Sequence, residues 1–106
     1  MEDKKYYIDF PGRVAAVQKL MAEETIDVYL GSRLRTMSWI TDAFFPWRSF
    51  VVIPSEGMPT AFTFVIDAAR AADESWLDED HVRGFAPMGG QDQIEQIADF
   101  IKDLLP

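Results

Sequence analysis

The chain is 106 residues long, 48% hydrophobic and 13% aromatic, with 18 acidic against 10 basic residues and a formal net charge of -8. That length admits one domain (residues 1–106) with a small core and leaves no room for a second, and the apolar content excludes an intrinsically disordered chain. The acidic balance disfavours nucleic acid as a partner, because binding to a phosphate backbone rests on Lys and Arg, and the absence of cysteine rules out disulfides and thiolate metal sites.

From the amino terminus, Met1 to Lys5 is charged, and the apolar run of a signal peptide does not follow it. No later stretch approaches the roughly 20 apolar residues of a membrane span, so a soluble, cytoplasmic protein with no membrane partner is expected. Phe10-Pro11-Gly12 breaks whatever precedes it. Val14, Val17, Leu20 and Met21 then recur at helical spacing, with Lys19, Glu23 and Glu24 facing away, which predicts a half-buried helix over 12–24. Ile26 to Leu30 is short and apolar at its ends, and it lies between that helix and Gly31-Ser32, as a strand of an α/β unit does. Arg33 to Thr41 reads as a short helix carrying Leu34, Met37 and Ile40.

Phe50 to Ile53 is continuously apolar, the pattern of a central strand covered on both faces. The turn formers Pro54 to Pro59 and the β-rich run Thr60 to Ile66 complete an antiparallel hairpin. Asp67 is placed to cap the Ala-rich segment 68–74 through its carboxylate. His81 to Phe85 reads as a further strand, and Pro87 to Gly90 as a loop. Asp92 opens a last helix whose Ile94, Ile97, Ala98, Ile101, Leu104 and Leu105 form an apolar stripe expected to pack on the sheet. Strands alternating with helices, plus one hairpin, indicate an α/β fold: a mixed β-sheet with helices on its faces.

Chemistry-bearing patterns are sparse. His81 is the only histidine; it has no nucleophile with which to form a triad and supplies one ligand where catalytic zinc uses three. Asp78-Glu79-Asp80 lacks the spacing of a calcium loop. Gly89-Gly90 precedes a helix without either phosphate-binding glycine pattern, and no serine lies in a G-x-S-x-G elbow. No catalytic residue and no metal ligand is therefore assigned. Phe44-Phe45-Pro46-Trp47-Arg48 remains as an aromatic loop opening a central strand.

In order along the chain, Arg13, Leu20, Met21 and Glu23, then Ile26-Asp27, Trp39-Ile40-Thr41, Arg48, Ile53-Pro54 and Glu56-Gly57 follow one pattern. The stretch from Arg13 to Ala72 resembles the amino-terminal domain of the creatinase, prolidase and aminopeptidase P family, where a helix with R…L…M…E precedes an (I/V)D strand, a YLTG segment, an Arg, an apolar strand ending in Pro and an acidic-Gly turn. Trp39 replaces the usual Tyr. Asp42 stands where the family has Gly, and since a side chain tolerates left-handed backbone angles poorly, a departure from the family's turn is expected there.

The resemblance implies a ribonuclease-H-like α/β domain without a ribonuclease site. It implies that catalysis belongs to a carboxy-terminal pita-bread domain outside this chain, whose two divalent metals (Mn, Co or Zn) activate water against the bond preceding proline. None of that domain's GHGxG-type motifs occurs here, and an end at Leu105-Pro106 after an apolar helix suggests a fragment of a longer polypeptide. The implied partners are the chain's own catalytic domain and a second copy in a homodimer. Phe45, Trp47 and Arg48 become candidates for the rim of the neighbouring subunit's active site, Arg48 pairing with a substrate carboxylate and an aromatic packing on a proline ring. The domain is thus expected to be a non-catalytic part of an Xaa-Pro dipeptidase or aminopeptidase, serving dimerisation and substrate access. A creatinase-like amidinohydrolase and a free-standing interaction module are the alternatives.

Overall fold

A computed structural model of the chain describes residues 8–46, 48–85 and 93–106. Helix α1, Phe10–Glu23, starts two residues before the expected point. Asp9 caps it, its side chain accepting from the Gly12 N–H at 3.0 Å, and Pro11 falls in the first turn, where a missing N–H costs nothing. Proline here begins a helix as well as ending what precedes it. The inner face is Phe10, Val14 and Met21; Leu20, read as part of that face, is 61% exposed.

Two hydrogen bonds close α1: Thr25 N–H to the Ala22 carbonyl at 3.2 Å and Ile26 N–H to the Met21 carbonyl at 2.7 Å. This is a Schellman ending, with Thr25 at the left-handed position (φ 60) that glycine normally fills.

Strand β1, Val28–Gly31, leads into α2, Leu34–Thr41, and β2, Phe50–Pro54, turns through Gly57 (φ 95) into β3, Thr60–Phe64. The expected hairpin is present, but β3 ends before Val65. Helix α3, Val65–Glu74, begins there at once. The Ala-rich run is a strong helix former, and Gly84 lets the helix start sit tightly against the sheet: a Cβ on Gly84 would lie 2.8 Å from Val65 Cα. Asp67 accordingly sits in the first turn, where it favours the helix dipole, and not at the cap.

A 3₁₀ turn, Glu79–His81, precedes β4, Val82–Phe85. The sheet runs β1-β2-β3-β4, with β2 antiparallel to both neighbours and β3 parallel to β4. β2 is covered on both faces as its sequence demands. Val51 and Ile53 meet α1, α2 and α3 in the main core, while Val52, with Phe62, meets the last helix, α4, Gln93–Leu104.

On α4 the expected stripe is wrong in part. Ile97 is buried and Ile101 packs on the sheet, but Ile94 and Leu104 are 57% and 37% exposed, and Leu105 also faces solvent. The helix is rotated so that Gln93, Ile97 and Phe100 face inward. Phe100 meets Phe62 edge-on at 5.2 Å and carries the Arg83 guanidinium over its face at 4.9 Å. Asp92, expected to open this helix, and the Pro87–Gly90 loop lie outside the described residues.

Candidate functional site

The aromatic loop between α2 and β2 is built on an unusually well-bonded helix end. A helix leaves its last four carbonyls without intrahelical partners. In α2, Ser38 C=O accepts from Asp42 N–H at 2.9 Å, Trp39 C=O from Arg13 Nη1 at 2.8 Å, Ile40 C=O from Trp76 Nε1 at 2.6 Å and Thr41 C=O from Trp76 N–H at 3.3 Å. Asp42 itself is left-handed (φ 66, ψ 22). A left-handed turn forms here with Asp in the place of Gly.

Beyond the turn, side chains alternate. Ala43 and Phe45 are buried at 4% and 3% exposure, while Phe44 is 55% exposed. Phe45, one of the rim candidates, is enclosed in the core with Val51 and Leu77. Phe44, which the sequence did not single out, is the exposed ring. Its backbone is fixed from both sides. Phe44 N–H donates to Glu74 Oε1 at 3.2 Å, its carbonyl accepts from Arg70 Nη2 at 2.8 Å, and Arg70 Nη1 meets Glu74 at 2.7 Å. The Phe44 N–H and, after it, the Arg70 guanidinium hold the Glu74 carboxyl below its ordinary range.

Arg48 is exposed, with its backbone held: its carbonyl accepts from Gln93 Nε2 at 3.3 Å, and the adjacent Ser49 is buried, donating to Thr63 Oγ1 at 3.1 Å. Its guanidinium engages no described residue, so a cation is presented from a rigid base at the start of a central strand. Trp47 lies outside the described residues.

A second feature was not legible as a site. The Arg13 guanidinium lies 4.4 Å from the Trp39 ring and 5.2 Å from the Phe10 ring, beside a shallow cleft of about 490 Å³ that includes Leu34 and Arg35. Trp39 holds the Tyr position of the YLT segment, and Arg13 is the helix Arg of the family pattern, so two distant pattern residues meet here as a cation–π pair.

His81 pairs through Nδ1 with Asp78 Oδ1, which lowers the Asp78 carboxyl below its ordinary range. Asp73, Glu79 and Asp80 border an open hollow of about 550 Å³. Among the described residues, no three His, Cys, Asp or Glu come together to hold a metal ion. No described helix is long and apolar enough to cross a membrane.

No protein-family model matches the sequence, and no curated protein shows significant similarity to it. Solved structures do. The chain is similar to a proline dipeptidase from Streptococcus agalactiae 2603V (TM-score 0.67, 14% identity, 91% of this chain and 68% of that one). It is similar to the creatinase/prolidase N-terminal domain of an X-Pro dipeptidase from Streptococcus pyogenes (TM-score 0.66, 16% identity, 90% and 68%). With the prolidase from Pyrococcus horikoshii OT3 the TM-score is 0.63 at 17% identity, over 88% of this chain but only 23% of that one. At such identities the likeness is one of architecture: this chain has the fold of a creatinase/prolidase N-terminal domain.

Proposed function

We propose that the chain is the non-catalytic amino-terminal domain of an Xaa-Pro dipeptidase or aminopeptidase, serving dimerisation and the shaping of substrate access. The observation that carries this reading is the pair of coverages in the Pyrococcus prolidase comparison: 88% of this chain corresponds to 23% of that one. A remainder of that size has room for a catalytic domain, which would supply two divalent metals, Mn, Co or Zn, and the water that attacks the bond. Its residues are not among those of this chain. A cytoplasmic homodimer is part of the reading.

Within it, Arg48 serves the neighbouring subunit's site as a carboxylate partner, with Trp47 beside it; Phe45 is left to the core. The support is an exposed guanidinium on a backbone fixed through Gln93 and Ser49. Loops at strand ends are where rigid scaffolds present functional groups.

The test is Arg48→Ala in the complete protein, with a proline dipeptide as substrate. Loss of a charge-assisted hydrogen bond, about 1.5–3 kcal/mol, predicts a fall in kcat/KM of roughly tenfold to a hundredfold with an unchanged melting temperature. Mixed dimers with a catalytically dead partner that keeps Arg48 should regain activity. Stability and activity falling in parallel would make Arg48 a structural residue. A complete protein lacking a GHGxG-type continuation and hydrolysing no Xaa-Pro substrate would overturn the peptidase reading itself.

A further inference from the structure

Among the described residues, the outer edge of β1 is left unpaired. β1 lies at the end of the sheet order, and no described strand pairs with its free side. Tyr29 and Leu30 are 39% and 47% exposed, one on each face of the sheet. Edge strands are ordinarily blunted by Lys, Pro, a bulge or an inward-pointing charge. Val28–Gly31 has no Lys, Pro or charged residue, and its four residues pair with β2 in unbroken register. Resting on the homodimer of the reading above, we infer that two copies join antiparallel, β1 to β1, about a two-fold axis, so that the four-stranded sheet of each continues into the other.

The geometry restricts the register, and the side chains favour one of those allowed. Backbone N–H and C=O groups point alternately to the two edges of a strand, so residues opposite each other in an antiparallel pair are of the same kind. For two copies of one strand, facing residue numbers must therefore both be even or both odd. Centred on Leu30, the pairing sets Leu30 against Leu30 of the second copy, Tyr29 against its Gly31 and Asp27 against its Arg33.

Each of these fits. The two half-exposed leucines cover one another. The Tyr29 ring, whose Cε2 already lies 3.1 Å from where a Gly31 Cβ would stand, meets a second glycine across the strand, a pairing in which aromatic rings shield glycine backbone. Asp27 and Arg33 are exposed and make no side-chain ion pair with any described residue, and the backbone of Arg33 is still extended (φ -80, ψ 146). By symmetry their opposite charges meet twice, and such cross-strand pairs stabilise a sheet. Centring on Tyr29 would set Asp27 against Gly31 and leave both charges unmatched.

The experiment measures self-association of the full chain by sedimentation equilibrium, for the parent, Asp27→Arg, Arg33→Asp and an equimolar mixture of the two variants. Each reversal alone sets like charges opposite one another at both ends and should raise the dimer Kd at least about tenfold. The mixture should recover the parent's association, because in the mixed pair every reversed charge meets its opposite. Both sites are exposed, and Asp is a better helix N-cap than Arg at the start of α2, so neither melting temperature should fall enough to explain the loss. A parent dimer that ignores both reversals would overturn this interface and leave the dimer reading standing. A parent that is monomeric at about 100 μM would overturn both.

Discussion

The orientation of α4 makes the sharpest test of how this small domain is held together. One face of the sheet depends on this helix for its cover, through Ile97, Phe100 and Ile101 packed on Val52 and Phe62. Ile97 is 3% exposed and its contacts Val52 and Phe62 are fully buried. Truncating such a side chain loses its transfer energy and leaves a cavity, about 2–5 kcal/mol for Ile→Ala, against a net stability of about 5–15 kcal/mol for a small domain. With a urea dependence of about 1.5 kcal/mol per molar, Ile97→Ala should lower the unfolding midpoint by roughly 1–3 M, followed by far-UV circular dichroism. Ile94→Ala, one turn away at 57% exposure, should cost less than about 0.5 kcal/mol, a midpoint shift below about 0.3 M. Equal losses at the two positions, or a larger loss at Ile94, would mean that the helix presents its sequence-read stripe after all and that the packing described for this face is wrong.

Three further outcomes follow from particular contacts. Thr25→Gly should stabilise the chain by about 1 kcal/mol in thermal or urea unfolding, since a β-branched residue is strained at φ 60, and Asp42→Gly should gain less because Asp tolerates that region better. Gly84→Ala should cost about 1–3 kcal/mol by overpacking, because its Cβ meets the Val65 backbone at 2.8 Å; an unchanged midpoint would refute the close approach of α3 to β4. Glu74 has a folded pKa below its ordinary value of 4.5, so its contribution is complete above that value and lost as pH falls through the lower folded one. Glu74→Gln should therefore flatten the acid limb of stability as pH falls through and below 4.5, and an identical limb in both proteins would refute it.

Much of the fold was legible because it rests on short-range pattern. The hairpin announced itself through turn formers between two β-rich runs, and β2 through four successive apolar residues. What failed was the choice of face or boundary where a distant partner decides. Leu20 and Ile94 have the right spacing for an inward stripe, yet the inward side of each helix is set by where it lands on the sheet. Gln93, a polar residue that no hydrophobic pattern would select, is drawn inward to donate to the Arg48 carbonyl. Val65 and Ile66 have strand propensity, yet the chain turns helical there, driven by the Ala-rich run that follows and allowed by the missing side chain at Gly84. In the candidate site, the exposure of Arg48 could be anticipated from charge, but the inward turn of Phe45 and the outward turn of Phe44 could not. The bonds of the Phe44 backbone run to Arg70 and Glu74, 26 and 30 residues away.

Asp42 shows the same limit from the other side. A Gly at a helix end is informative because it lowers the cost of a left-handed residue, so its absence reads as a sign that the turn is different. The cost of the turn, however, is set by everything that turn satisfies. Here the carbonyls of Trp39, Ile40 and Thr41 are taken by Arg13 and Trp76, residues from α1 and from beyond α3, and Thr41 Oγ1 donates to Met37 C=O while accepting from Ala43 N–H. Continuing the helix past Thr41 would forfeit the Ala43 contact and displace the Trp76 bonds. The strain of one left-handed Asp is about 1 kcal/mol, less than the several hydrogen bonds, each about 1 kcal/mol net, that the ended helix keeps. Arg13 and Trp39 are thereby tied together across α1 and α2: the Arg takes up a carbonyl in the last turn of α2, and it stacks on the Trp39 ring while doing so.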